Sequence, residues 1–307
     1  MKCLVINLDR SPNRLAHIQA QFARIGIGFE RVAAIDARQH PELALQSQHP
    51  KHAAQRLSAG EVACLHSHRA CWTIIARGEA PYGAVFEDDV VFSADAGALL
   101  ADACWIPADA DIVKLETFFH STVIQRERFS VGHGFSMFRL RKNHIGAGGY
   151  LISKQAARDL LLVTADINVA VDNLIFDPAF ATSTGKTIYQ LVPALCAQEQ
   201  FVGARLPSLL AADRDAEWIA SGLAGERRIP VTARLRREAW RLARRVADFC
   251  RLRRRIVVPL APVEVGDQSM VTKIAKRRSR KKVPVRPDMV FHLADVEPDS
   301  DFTSIRP

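Results

Sequence analysis

The first apolar run, Cys3 to Leu8, has the β-branched character of a strand, and Ser11-Pro12 then offers a capping residue and a proline for the first helical position. Leu15, Ile18, Phe22 and Ile25 recur at steps of three and four, so the period changes from strand to helix, and Gly26 ends it. Phe29 to Ile35 fits a second strand and completes a βαβ opening. Asp36 to Gln55 is polar and aperiodic, as expected of a loop. Ser58-Ala59-Gly60-Glu61 has the S-x-x-E form of a capping box, and the helix it opens carries Cys64, His68, Cys71, Trp72 and Ile75 on one face. Further strands are expected from Tyr82 into the acids that follow, at Asp111 to Leu115, at Gly149 to Ile152 and, interrupted by Pro193, at Thr187 to Leu195. Ser153 can cap a helix from Lys154 to about Val163. Strands alternating with helices predict an α/β sandwich on a mostly parallel sheet.

Beyond about Leu210 the pattern changes. Leu235, Ala239, Leu242, Val246 and Phe249 form an apolar stripe at helical spacing, with Arg234, Arg237, Arg241, Arg244, Arg245 and Arg251 on the other faces. Residues 227–282 hold 19 of the 42 basic residues against 4 of the 33 acids, which leaves 23 basic against 29 acidic elsewhere. The net charge of +9 therefore belongs to the C-terminal part. These shifts divide the chain into residues 1–210, a catalytic-type domain; 211–255, a linker and basic amphipathic helix; and 256–307, a proline-containing basic tail expected to be poorly ordered. The basic block suits an anionic membrane surface, or else a helix packed on the domain with its arginines solvated. Nucleic acid is not expected, because no aromatics interleave with the arginines to stack on bases.

At 48% apolar the chain can bury a sizeable core. The Cys3 to Leu8 run is broken by Asp9 and Arg10, so neither a signal peptide nor a membrane span is expected. The six cysteines form no CxxC pair, which fits reduced thiols in a cytoplasmic protein.

The chemistry is concentrated at Glu87-Asp88-Asp89, directly after the apolar segment Tyr82 to Phe86. In an open α/β sheet the carboxyl ends of strands face the ligand crevice, where acids can hold a hard cation and through it a phosphate; a solvated acidic turn is the plain alternative. Strand alternation, if it persists, puts Glu87 and Asp89 on one side and Asp88 on the other. Gly146, Gly148 and Gly149 precede a strand where a dinucleotide loop would follow one, and so read as close backbone packing.

Ile6-Asn7-Leu8-Asp9-Arg10 with Arg14, then Gly60-Glu61-Val62-Ala63-Cys64 with Ser67-His68 and Trp72, then Phe86-Glu87-Asp88-Asp89 occur in an order that resembles glycosyltransferase family 25. Lys114-Leu115-Glu116, Gly148 to Ser153, Val171-Asp172-Asn173 and Val192 to Leu195 with Gln198 continue the resemblance to about residue 200. It implies a GT-A type nucleotide-sugar-binding αβα sandwich with a mixed, mostly parallel sheet, here extended by the basic helical segment. It also implies an inverting hexosyltransferase of the bacterial branch, typically moving galactose from UDP-galactose to a lipid-linked lipopolysaccharide or lipooligosaccharide saccharide at the inner face of the inner membrane.

Under that resemblance Glu87-Asp88-Asp89 takes the place of the DxD motif, departing from it at Glu87. Asp89 is then the direct ligand of Mn²⁺ or Mg²⁺, Glu87 a ribose or water-mediated partner, and Asn7, Asp9, Arg10, Arg14, His68, Asp88 and Lys114 donor-site residues. Asp172 is the first candidate for the base that takes the acceptor proton and Glu116 the second; Asp172 reads equally as a helix N-cap. A catalytically inactive saccharide- or nucleotide-binding protein held at the membrane by its basic tail is the alternative.

Overall fold

The computed structural model describes residues 1–43, 57–164, 169–178, 185–203, 206 and 247–263. The chain opens with β1 (Lys2–Asn7), α1 (Pro12–Ile25) and β2 (Glu30–Ala33), with β1 and β2 parallel, as the periodicity predicts. Ser11 stands at the cap position of α1 without a side-chain cap bond, so Pro12 carries the start of the helix, and Gly26 closes it in the left-handed region at φ 68°. Helix α2 (Ala59–Arg77) starts on a complete capping box: Glu61 N–H donates to Ser58 Oγ at 3.1 Å, and Ser58 N–H to Glu61 Oε2 at 2.8 Å.

There follow β3 (Tyr82–Glu87), β4 (Val90–Phe92), α3 (Ala96–Ala101), β5 (Ile112–Lys114), β6 (Ser121–Gln125), β7 (Phe129–Gly132), β8 (Phe135–Arg139) and β9 (Gly149–Ser153). Then come α4 (Lys154–Val163), capped by Ser153, α5 (Val171–Phe176), β10 (Ile188–Val192), β11 (Cys196–Gln198), α6 (Glu199–Val202) and β12 (Arg253–Val257). Strand β10 stops ahead of Pro193, which has no N–H to donate. Eight strands pair in the order β2-β1-β3-β9-β5-β10-β8-β7. All but β8 and β9 run in one direction, so the sheet is mixed and mostly unidirectional.

Helices cover both faces, giving the expected αβα sandwich. Trp72 and Ile75 of α2, Leu160 of α4 and Phe176 of α5 pack on Leu4, Val85, Ile112 and Ile152. On the other face Ile18 and Phe22 of α1 and Leu99 and Leu100 of α3 pack on Val5, Phe86, Val113 and Leu151. Phe22, Phe86 and Phe92 meet edge to face with centroids 5.0 to 5.7 Å apart.

The C-terminal part departs from expectation. The boundary placed at 255/256 falls inside β12, which pairs antiparallel with β6 from Arg253↔Gln125 to Val257↔Ser121. Past it Val258, Ala261 and Val263 are buried, Thr117 Oγ1 donates to the Val258 carbonyl at 2.7 Å, and Ala94 N–H donates to the Pro262 carbonyl at 2.8 Å. Residues 256–263 are thus part of the folded body. Among the described residues β6 has no other strand partner, and Ile256-Val257 supply β-branched residues that its ladder takes. The amphipathic helix lies outside the described residues except for its last turn, Ala247 to Cys250, which is helical.

Candidate active site

The carboxyl ends of β1, β3 and β5 lie along one edge of the sheet and carry Asn7, Glu87 to Asp89, and Glu116. Between β3 and β5 runs antiparallel β9, whose entry brings Gly146 to Gly149 beneath these acids: Glu87 N–H donates to the Gly148 carbonyl and Leu115 N–H to the Gly149 carbonyl, both at 3.0 Å. A Cβ on Gly148 would stand 2.8 Å from Glu116 Oε1 and 3.2 Å from Gln198 Nε2. The glycines therefore serve close approach, as the sequence indicates: Gly146 and Gly148 admit the Glu116 carboxylate, and Gly149 the Cys196 sulfur and the Phe86 ring.

β3 ends at Glu87 and the chain turns, so the expected alternation of Glu87, Asp88 and Asp89 does not persist. Asp88 does not point away from Asp89; both fold onto Arg14. Arg14 Nε donates to Asp88 Oδ1 at 2.6 Å and Nη2 to Asp89 Oδ2 at 2.8 Å, while Asn7 Nδ2 donates to Asp88 Oδ2 at 2.7 Å. Burial opposes the Arg14 charge, but Asp89 and Asp88 outweigh it and raise its pKa. Asp89 Oδ1 is buried and has no protein partner. Burial, reinforced by Glu87, pushes the Asp89 pKa up to about 7 against the pull of Arg14. Glu87 is likewise pushed to about 7, by burial first and with Arg14 opposing.

Glu87 also faces α2. Trp72 Nε1–H donates to the Tyr150 hydroxyl at 2.8 Å, that hydroxyl lies 2.9 Å from His68 Nδ1, and His68 Nε2 lies 3.7 Å from Glu87 Oε1. Burial lowers the His68 pKa to about 4, so the imidazole is neutral and conveys position rather than charge. Gln198 Nε2 reaches Glu87 Oε2 at 3.4 Å. Cys64 Sγ, a His68 ring nitrogen and a Glu87 oxygen lie within 4.8 Å of one another, a mixed donor set in which His68 Nε2 has no hydrogen-bond partner.

Lys114 is buried, pairs with Glu116 Oε2 at 3.3 Å, donates to the Gly146 carbonyl and stands 4.0 Å from the centroid of Phe176. Burial raises the Glu116 pKa to about 7 against the pull of Lys114, and Glu116 Oε1 has no partner. Asp172 is not the cap of α5: Ala170 holds that position, and Asp172 sits in the first turn. Its Oδ2 accepts from Gly146 N–H at 3.2 Å and its Oδ1 from Asn173 N–H at 2.8 Å, and the side chain keeps partial exposure while Glu116 has none.

Of the expected site residues, Asn7, Arg14, His68, Glu87, Asp88, Asp89, Lys114, Glu116 and Asp172 thus converge. Asp9 and Arg10 do not: Asp9 is exposed and pairs with Arg31, and Arg10 pairs with Asp36 at 2.5 Å, both beside β2. Cys64, Tyr150 and Gln198 stand within recognisable blocks, but it takes the packing of α2 on the sheet, the β3–β9 pairing and the β4–β11 pairing to bring them to Glu87. His144, whose Nδ1 lies 2.7 Å from Gln190 Oε1 and whose pKa burial drops to about 3, had no local signal at all.

A family model described as glycosyltransferase family 25 (LPS biosynthesis protein) matches residues 1–175. The chain is 35% identical over 205 residues to the lacto-N-neotetraose biosynthesis glycosyltransferase LgtE of Neisseria meningitidis serogroup B, covering 64% of this chain and 73% of that protein. It is 30% identical over 204 residues to the lipooligosaccharide biosynthesis protein lic2B of Haemophilus influenzae, covering 64% and 75%. A solved structure of the galactosyltransferase LgtC with donor and acceptor sugar analogs aligns with 76% of this chain and 99% of that one at 12% identity and a TM-score of 0.34, which adds nothing to the topology already described.

Proposed function

The chain belongs to glycosyltransferase family 25, and on that premise we propose that it moves a hexose, galactose from UDP-galactose, with inversion onto a lipopolysaccharide or lipooligosaccharide saccharide, using a divalent ion. The αβα sandwich is of the GT-A nucleotide-sugar type. The observation that supports a metal is the charge balance. Glu87, Asp88, Asp89, Glu116 and Asp172 gather around two cations, Arg14 and Lys114, and Glu87, Asp89 and Glu116 all have pKa values raised to about 7. Such a cluster favours a cation in place of protons.

Glu87 and the unpartnered Asp89 Oδ1 offer carboxylate oxygen only, which fits Mn²⁺ or Mg²⁺. When bound there, the ion supplies Lewis-acid stabilisation to the departing diphosphate. The protein's own residues do the rest. Arg14 locks Asp88 and Asp89, and the Trp72-Tyr150-His68 chain backs Glu87. Lys114 holds the Gly146 carbonyl and Glu116, so that Asp172, hydrogen-bonded to Gly146 N–H, is oriented to take the acceptor proton. Asp172 is preferred to Glu116 because it is the more exposed of the two.

The acceptor is lipid-linked in this reading, so the enzyme works against an anionic membrane surface at the inner face of the inner membrane. No helix among the described residues is long and apolar enough to cross a membrane. The test is UDP release from a panel of UDP- and GDP-sugars without acceptor, in Mn²⁺, Mg²⁺ or EDTA, paired with UDP binding. Metal-dependent release from UDP-galactose is expected; absence of both release and metal-dependent UDP binding would overturn the proposal in favour of an inactive binding protein.

A further inference from the structure

Two features outside the acid cluster meet at the start of β12. The first is an apolar turn. Phe249 is 67% exposed and Leu252 60%, and Leu252 adopts φ 51°, a left-handed conformation disfavoured for a leucine. Leu252 is not part of any apolar cluster among the described residues, and glycine or asparagine fits the same turn with less strain and no exposed apolar surface. Arg251, Arg253 and Arg255 flank it, and Asp248 answers only Arg253, at 3.9 Å.

The second is a depression of about 530 Å³ lined by Arg126, Arg128, Ser136, Phe138, Val192 and Arg254. Among the described residues no carboxylate lines it, and none of its three guanidinium groups has an ion-pair partner. They are nonetheless held in place. Arg254 lies 4.6 Å from the Phe138 ring centroid, Arg126 5.5 Å from that of Phe249, and Arg128 Nε donates to Ser136 Oγ at 2.7 Å. Nearby, burial lowers the Arg141 pKa, and Arg253 and Arg139 lower it further against the pull of Tyr189 and Glu127. Arg126 N–H donates to the Leu252 carbonyl at 2.8 Å, which joins the turn to the groove.

We infer that the Phe249 to Leu252 turn and the Arg126, Arg128 and Arg254 groove form one membrane-docking surface, with the apolar tip entering the headgroup layer and the guanidinium groups taking the phosphates of anionic phospholipid. Exposed apolar side chains rimmed by arginine are what an interfacial surface needs, and a soluble anion would need only the groove. The surface deepens the membrane-proximal reading above by naming where contact is made, and it stands on side chains that take no part in the acid cluster.

The test is partitioning of the full chain onto vesicles of phosphatidylcholine doped with phosphatidylglycerol, against pure phosphatidylcholine, over a salt series. Binding to the anionic vesicles only, weakening with salt, is expected. Leu252→Asn, which suits the left-handed conformation and so keeps the fold, should cut partitioning roughly tenfold or more by removing a leucine from the apolar layer. Arg126→Gln with Arg254→Gln should cut it about 25-fold, at about fivefold per arginine. Full binding by Leu252→Asn, or binding of inorganic pyrophosphate in the groove without vesicle binding, would overturn the inference. UDP release by the same samples reports separately on the transferase reading, so either proposal can fail alone.

Discussion

Asp89 offers the sharpest perturbation, because the structure makes its charge a burden to the fold while the proposed reaction calls for it. Folding raises its pKa from 3.8 to about 7, chiefly by burial, so in that window the folded state keeps a proton that the unfolded chain has lost. Its contribution to stability is therefore greatest at low pH, falls as pH rises through the window and levels off above it. At about 1.4 kcal/mol per unit, the shift corresponds to a penalty on the order of 4 kcal/mol at pH 8, which Asp89 shares with Glu87 because the Glu87 charge is its second cause after burial. Asp89→Asn removes the charge and leaves an oxygen to accept from Arg14 Nη2, but it buries an amide N–H₂ where Oδ1 now has no partner, at a cost of about 1–3 kcal/mol. The variant should consequently be more stable than the wild type by ~1–3 kcal/mol in EDTA at pH 8, with the difference shrinking toward pH 5. In Mn²⁺ the order should narrow or reverse, because only the wild type gains binding energy, and metal-dependent UDP release should be lost. Urea unfolding at the two pH values, with and without Mn²⁺, reads all of this. A variant less stable than wild type at pH 8 in EDTA would refute the argument that Asp89 is held against its charge.

Three other substitutions probe the remaining parts of the site. Asp172→Asn should lower hexose transfer by about 10²–10⁴-fold while UDP binding in Mn²⁺ stays within twofold or so, as a missing acceptor base requires; equal loss of both would return Asp172 to a structural role. Cys64→Ser should weaken Zn²⁺ binding by roughly tenfold or more and leave Mn²⁺ binding in place, since a thiolate and imidazole set selects the softer ion; titration calorimetry distinguishes the two. Gly148→Ala drives a methyl group to 2.8 Å from Glu116 Oε1 and should cost about 1–3 kcal/mol in thermal or urea unfolding; an unchanged midpoint would show that Glu116 moves aside freely.

What could be read from the chain beforehand was whatever a local period or cap encodes. The βαβ opening, the Ser58 capping box, the helix after Ser153 and the position of the acids at a strand end are all written within short windows. The turn at Asp88 was not, because Asp88-Asp89-Val90 also continues a strand pattern; it is Arg14, 74 residues away in the chain from Asp88, that draws both carboxylates to one side. β12 failed for a related reason. Arg253-Arg254-Arg255 reads as a solvated charge run until Phe138 and the open edge of β6 supply partners that no local window contains. His68 shares a helix face with Cys71, Trp72 and Ile75 and is buried with them; that Tyr150 and Trp72 make it a neutral prop for Glu87 depends on β9 lying next to β3.

The charge balance of the site ties these observations together. Five carboxylates face Arg14 and Lys114, an excess of three, and three carboxylates have raised pKa values: Glu87, Asp89 and Glu116. Among the described residues no third basic side chain is brought in to pair with these acids. The fold buries His68 so deeply that the ring stays neutral, and it spends the glycines of the β9 entry on bringing backbone, rather than a cation, against Glu116. A divalent ion shared by Glu87 and Asp89 would remove two of the three surplus charges, leaving one proton on Glu116 beside Lys114. Glu116 accepts from Gly148 N–H and Asp172 from Gly146 N–H, so the two acids share one backbone segment through which occupancy at one end of the cluster would be felt at the other. In that arrangement an ion held by Glu87 and Asp89 would do more than stabilise the donor diphosphate: it would also bias the protonation of the acids that position the proposed base.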